Sequence, residues 1–131
     1  MMELWNESLK TGIPAIDNQH KELIRKVYTL FHSTDTDRVS QTLEFFRKYV
    51  KKHFYDEQEL QHKAQYPKAD LHKKMRYDFM VAFREMKKEY DADRTQLPVL
   101  HKISRAIAGW LREHIIIHDK EFAMYYKSLG N

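Results

Sequence analysis

Four stretches of the chain repeat apolar residues at steps of three and four, the spacing that lines one face of a helix. The first runs over about 18–32, with His20, Leu23, Ile24, Val27 and Leu30 on one stripe. The second runs over about 40–62, with Leu43, Phe46, Val50, His53, Glu57 and Leu60 facing one way. Tyr66-Pro67 interrupts the pattern. A third stretch over about 68–90 carries His72, Met75, Phe79, Phe83, Met86 and Tyr90. A fourth over about 99–127 carries Leu100, Ile103, Ile107, Trp110, Leu111, His114 and Phe122. Ser33 to Asp37 and Asp91 to Pro98 read as short loops, and short loops join antiparallel neighbours. Residues 1–16 read as an arm: Gly12 and Pro14 forbid a long helix there, while Leu4, Trp5, Leu9 and Ile13 can lie against the bundle. Asp17 is the expected N-cap of the first helix. The pattern predicts an all-α, up-down-up-down four-helix bundle with an N-terminal arm, built as one domain over 1–131.

Composition agrees with this and narrows the chemistry. Three Gly and three Pro in 131 residues are too few for a fold of many tight turns. The absence of Cys excludes disulfides, thiolate-ligated metals and a Cys nucleophile. No run of 18 apolar residues exists and Met1 to Lys10 does not read as a signal peptide, so the expectation is a cytoplasmic protein without membrane insertion. The net charge of +4 is spread along the chain. Lys51-Lys52, Lys73-Lys74 and Lys87-Lys88 alternate with apolar positions as a solvated face would, and no nucleic-acid partner is expected. Eight histidines need a separate reason.

That reason lies on the apolar stripes. His20, His53, His72 and His114 come from four different helices, and Glu57 shares the face of His53. A buried carboxylate is costly without a partner. Asp119 lies five residues after His114, about 140° further round an α-helix, so it has to reach back toward the seam. One such histidine is ordinarily a hydrogen-bonded core residue. One from every helix, with two carboxylates, describes a metal site built from facing helices. Imidazole suits iron, zinc and copper, and carboxylates bridge ion pairs. The donor count exceeds what one tetrahedral zinc needs and suits two irons bridged by Glu57 and Asp119. The carboxylate bundles that use Glu-x-x-His pairs are disfavoured, since no such pair is present.

The motifs Ile16-Asp17-Asn18-Gln19-His20, His53-Phe54 with Glu57, Tyr66-Pro67 before His72, and Trp110-Leu111-Arg112-Glu113-His114-Ile115 with Asp119 together resemble the hemerythrin family. Trp5 and Gly12 fit the arm of its bacterial, single-domain members. The resemblance implies a non-haem pair of iron ions that binds dioxygen reversibly for storage, delivery or sensing. It assigns His20 and His53 to the oxygen-binding iron, His72 and His114 to the other, and Glu57 and Asp119 to bridging. Leu23, Phe54, Trp110 and Leu111 would form the apolar pocket over the oxygen site. Dioxygen is the expected partner and a monomer the expected state.

The chain departs from the family at one ligand. The third-helix His-x-x-x-His reads His72-Lys73-Lys74-Met75-Arg76, and an arginine stays protonated and ligates no metal. Water or an anion could take the place, with Arg76 nearby or swung out to solvent. His118, about 40° from His114 on the helical wheel, could substitute or be an ordinary polar residue. Or the site could hold one metal, or none. The alternative functions are a di-iron oxidoreductase working through the position Arg76 leaves short, and a metal-free helical interaction module. His32, His62 and His101 fall off the ligand faces and read as surface or helix-end residues.

Overall fold

The computed structural model describes residues 5–33, 35–95 and 97–130. Leu4 of the expected arm and Thr34 of the first expected loop lie outside the described residues. A short 3-10 turn, Glu7–Leu9, precedes four long helical rods. These are α1 (Pro14–Phe31), α2 (Thr36–Lys63), α3 (Ala69–Ala92), and a fourth rod made of α4 (Leu97–Glu113), a π-helical turn (His114–Asp119) and α5 (Lys120–Ser128). α1 packs on α2 and α4, and α3 packs on α2 and α4, which closes a four-helix bundle in chain order. None of the described helices is long and apolar enough to cross a membrane.

Three of the rods start earlier than the periodicity suggests, each for a local reason. α1 begins at Pro14, whose fixed φ and missing N–H suit the first helical position. Asp17 is therefore not the N-cap; it sits inside the first turn and reaches back to the arm. Its Oδ1 accepts from Thr11 N at 2.8 Å and Thr11 Oγ1 at 2.7 Å, and its Oδ2 accepts from Gly12 N at 3.1 Å. Gly12 turns the arm at φ 87, a conformation that disfavours a side chain, and a Cβ there would collide with the Lys127 ammonium. α2 begins at Thr36 because Asp35 caps it, accepting from the N–H groups of Asp37 and Arg38. The fourth rod begins at Leu97, so Pro98 belongs to its first turn and not to the loop.

The core comes in two apolar clusters. The larger contains Leu9, Leu23, Val27, Leu43, Phe46, Val50, Phe54, Phe79, Phe83, Ile107, Leu111 and Ile115 among others. The smaller contains Ile13, Ile16, Tyr66, Phe122 and Ala123, with Leu60 half-buried against it. The buried polar groups fall at the boundary of the two clusters: His20 between Ile16 and Leu23, Glu57 between Phe54 and Leu60, His72 and Arg76 between Tyr66, just before α3, and Phe79, and Asp119 between Ile115 and Phe122, with His53 and His114 at the edge of the larger cluster. The bundle is thus two hydrophobic plugs with one layer of buried polar groups sandwiched between them.

Candidate metal centre

His20, His53, Glu57 and Asp119 are each almost fully buried and each offers a ligand atom within 4.8 Å of the others. Their orientations are set from outside the cluster. His53 meets Gln19 Oε1 through Nδ1 at 2.8 Å, and Gln19 Nε2 donates to Asp56 at 2.7 Å. A proton held at Nδ1 by that relay leaves the Nε2 lone pair facing the centre, as a carbonyl or carboxylate behind a metal-bound imidazole does. His20 Nε2 lies 2.7 Å from Asp119 Oδ2, and His53 Nε2 lies 3.3 Å from Glu57 Oε2 and 3.7 Å from Asp119 Oδ2.

The other side of the layer is built differently. Asp119 Oδ1 lies 2.9 Å from His114 Nε2, so this carboxylate spans from His20 to His114. The His114 ring stacks on Trp110 at 4.5 Å, and Trp110 stacks in turn on Phe79 at 3.9 Å. His72 is buried and meets the Gln61 amide through Nδ1 at 2.9 Å. Gln61 also donates to Glu57 Oε1 at 3.3 Å. Arg76 is buried too, and its Nη2 donates to the same Oε1 at 3.3 Å. A guanidinium swung out to solvent is therefore excluded: Arg76 lies in the layer, with Phe54 packed against it at 5.8 Å.

Asp119 reaches the seam through the backbone and not through a long side-chain excursion. His114–Asp119 is a π-helical turn, with the Lys120 N–H bonded to Ile115 O, five residues back. Such a turn needs more than four residues to close, so residues four and five along straddle the face of the first. The 140° separation expected of a regular α-helix does not arise, and His114, His118 and Asp119 gather on one side. The sequence reading also missed Gln61, which is fully buried where Leu60 was expected to be. Its signal was present, since Gln61 is four residues after Glu57 and so on the same face. His32, His62 and His101 are exposed.

Burial governs the protonation of the layer. It pushes His53 down to about 4, with the neighbouring His20 and His114 adding to the effect and Asp119 opposing it. It pushes His72 down to about 4 as well, helped by the Arg76 charge. Burial and the Asp119 charge push the Glu57 carboxyl well above its ordinary range, against the pull of Arg76. Burial would also raise Asp119, but the surrounding His114, His20 and His53 outweigh it and hold Asp119 well below the usual carboxylate range. The centre therefore presents the neutral imidazoles of His53 and His72 and an ionised Asp119 carboxylate, which is the state a metal ion needs of its ligands.

A cation also resolves what the protein leaves unsatisfied. Among the described residues, His53 Nε2, Glu57 Oε2, His114 Nε2 and Asp119 Oδ1 are buried without a well-formed hydrogen bond. Lone pairs facing one another in a dry interior are costly, and an ion between them satisfies several at once. Nitrogen and oxygen donors in this mixture suit iron and its neighbours in the first transition row. Leu23, Phe54 and Leu111 are buried in the larger apolar cluster beside the histidines, with Trp110 half-buried against it.

Comparison with known proteins agrees. The profile of the hemerythrin HHE cation binding domain matches residues 11–126. A myohemerythrin of Theromyzon tessulatum is 29% identical over 111 residues, covering 85% of this chain and 82% of its own. A bacteriohemerythrin of Clostridium acetobutylicum is 25% identical over 132 residues, covering 92% and 98%. A solved crystal structure of a leucine-to-phenylalanine mutant superposes with a TM-score of 0.83 over 96% of this chain and 97% of that one, at 21% identity, which bears on the fold alone.

Proposed function

The chain belongs to the hemerythrin family of HHE cation-binding domains, and on that premise we propose that it is a non-haem di-iron protein that binds dioxygen reversibly, for storage, delivery or sensing. The observation that carries this reading is the set of buried, unsatisfied donor atoms on His53, Glu57, His114 and Asp119, enclosed between two apolar clusters. In this reading His20 and His53 would hold one ion and His72 and His114 the other, with Glu57 and Asp119 as the carboxylates available to both. When bound, the ferrous pair supplies the two electrons with which dioxygen is held and given back.

The protein's own groups do the rest. Gln19 and Asp56 fix the His53 ring so that Nε2 faces inward. Asp119, held ionised by its imidazole neighbours, provides permanent negative charge in a dry site, where a charge acts most strongly. Burial and the Asp119 charge favour the protonated Glu57 carboxyl in the metal-free chain, a proton that would have to leave before this carboxylate could hold a cation. Leu23, Phe54, Trp110 and Leu111 exclude water from the histidine side, which slows loss of bound oxygen by side reactions. The oxidoreductase alternative needed an open position beside Arg76. That side chain is instead 5% exposed and engaged with Glu57, so nothing favours the alternative.

Anaerobic loading with ferrous ion, elemental analysis and thermal melting test the reading together. Two irons per chain and a marked rise in melting temperature are expected, because the ion relieves the buried carboxylates. No retained iron and an unchanged melt would reject it.

A further inference from the structure

We propose that His118 is a ligand of the second ion, completing a three-imidazole set with His72 and His114 in place of the histidine that Arg76 replaces. The inference rests on the di-iron reading and specifies how this chain achieves it. Three observations carry it.

The first is ring geometry. The His118 ring centroid lies 5.6 Å from that of His72 and 6.2 Å from that of His114. Imidazoles sharing a tetrahedral ion through bonds of about 2.0–2.1 Å have centroids roughly 5 Å apart. His20 and His53, on the other side of the layer, are 4.7 Å apart. His118 thus neighbours both histidines assigned to the second ion, and a small closing of the three rings would bring it into the set; among the described residues only His20, His53, Glu57 and Asp119 already converge on one point.

The second is the backbone. On a regular α-helix His118 stands about 40° from His114 but Asp119 stands about 140° away. The π-turn over His114–Asp119 brings His118 and Asp119 to flank His114. A π-turn costs regular helical hydrogen bonding and is most often kept at functional sites.

The third is the ring's surroundings. His118 is half-buried and lines a cleft of about 190 Å³ between the third and fourth rods, with Met75, Asp78, Trp110, Glu113 and His114. Among the described residues its imidazole has ring contacts but no hydrogen bond. His32, His62 and His101 are exposed, whereas His118 is half-buried with its ring beside those of His72 and His114.

Anaerobic cobalt(II) titration of the whole chain tests this, read by calorimetric stoichiometry and by the visible ligand-field bands of the bound ion. The parent is expected to take up two cobalt ions and His118→Ala one, with the second bound roughly tenfold or more weakly. His101→Ala, which removes an exposed histidine, should match the parent. Arg76→His should change little on its own but restore the second ion in the His118→Ala background. Because His118 is only half-buried, the metal-free melt of His118→Ala should equal that of the parent, which separates ligand loss from misfolding. Uptake of both ions by His118→Ala with parental affinity and spectrum would overturn the assignment while leaving the di-iron reading standing. A parent that takes up no cobalt would overturn both.

Discussion

Glu57 and the histidines around it are poised by burial, and burial makes their stability pH-dependent in opposite senses. His53 and His72 titrate near 4 in the folded chain against an ordinary 6.5. Well above pH 6.5 they are neutral in both folded and unfolded states and contribute nothing. As pH falls from 6.5 toward 4, the unfolded chain takes up protons that the folded chain refuses, so stability is lost across that window. Glu57 works against this, because its raised folded value favours the folded state as pH falls toward 4.5. Glu57→Gln removes the opposing group. The metal-free variant should therefore lose melting temperature steadily between pH 6.5 and 4, more steeply than the parent. A variant whose melting temperature is flat across that range would show that the two imidazoles are not held neutral by the fold.

At the scale of elements, the arm and the π-turn are where local chemistry overrides helical periodicity. Asp17 ties the arm to α1 with three hydrogen bonds to Thr11 and Gly12, two of them buried. Bonds to a charged acceptor contribute about 1.5–3 kcal/mol each when isolated, and they are not additive. Asp17→Ala should cost about 2–4 kcal/mol in denaturant unfolding, with Asp17→Asn intermediate. A loss below about 0.5 kcal/mol would mean that the arm is held by Leu9 and Ile13 alone. The same segment shows how far the sequence could be read. The four rods were legible because His20, Leu23, Val27 and Leu30, and likewise Val50, His53 and Glu57, keep one spacing throughout. The helix starts were less so, because a proline at a first position and an aspartate capping from one residue earlier carry no periodic signal. The π-turn was hidden for a different reason. A wheel of constant pitch sets Asp119 about 140° from His114, and no residue type within Ile115-Ile116-Ile117 marks the extra residue that absorbs that angle. Arg76 was visible as a departure, but its partner Glu57 and its neighbour Gln61 emerged only when α2 and α3 were packed together.

For the whole molecule, the arrangement that matters is a polar layer held dry between two apolar clusters. Leu111 belongs to the larger cluster and also lines an apolar cavity of about 220 Å³ with Leu9, Ile24, Val27 and Phe31, so it stands between that cavity and the histidines on its own rod. Leu111→Ala should destabilise the bundle by about 2–5 kcal/mol and let water approach the centre. Stopped-flow decay of the oxygenated, iron-loaded variant should be faster than that of the parent; equal rates would show that Leu111 does not guard the site. A reversible oxygen-binding protein must hold and release oxygen without turnover. The most direct measurement is an oxygen equilibrium on the iron-loaded chain, cycling between air and inert gas while the visible spectrum and bound iron are followed. The proposed function requires a coloured form that appears on oxygenation, disappears on deoxygenation and returns over repeated cycles, with no iron lost. Irreversible bleaching in the first cycle, or oxygen consumed catalytically with a reductant present, would contradict it.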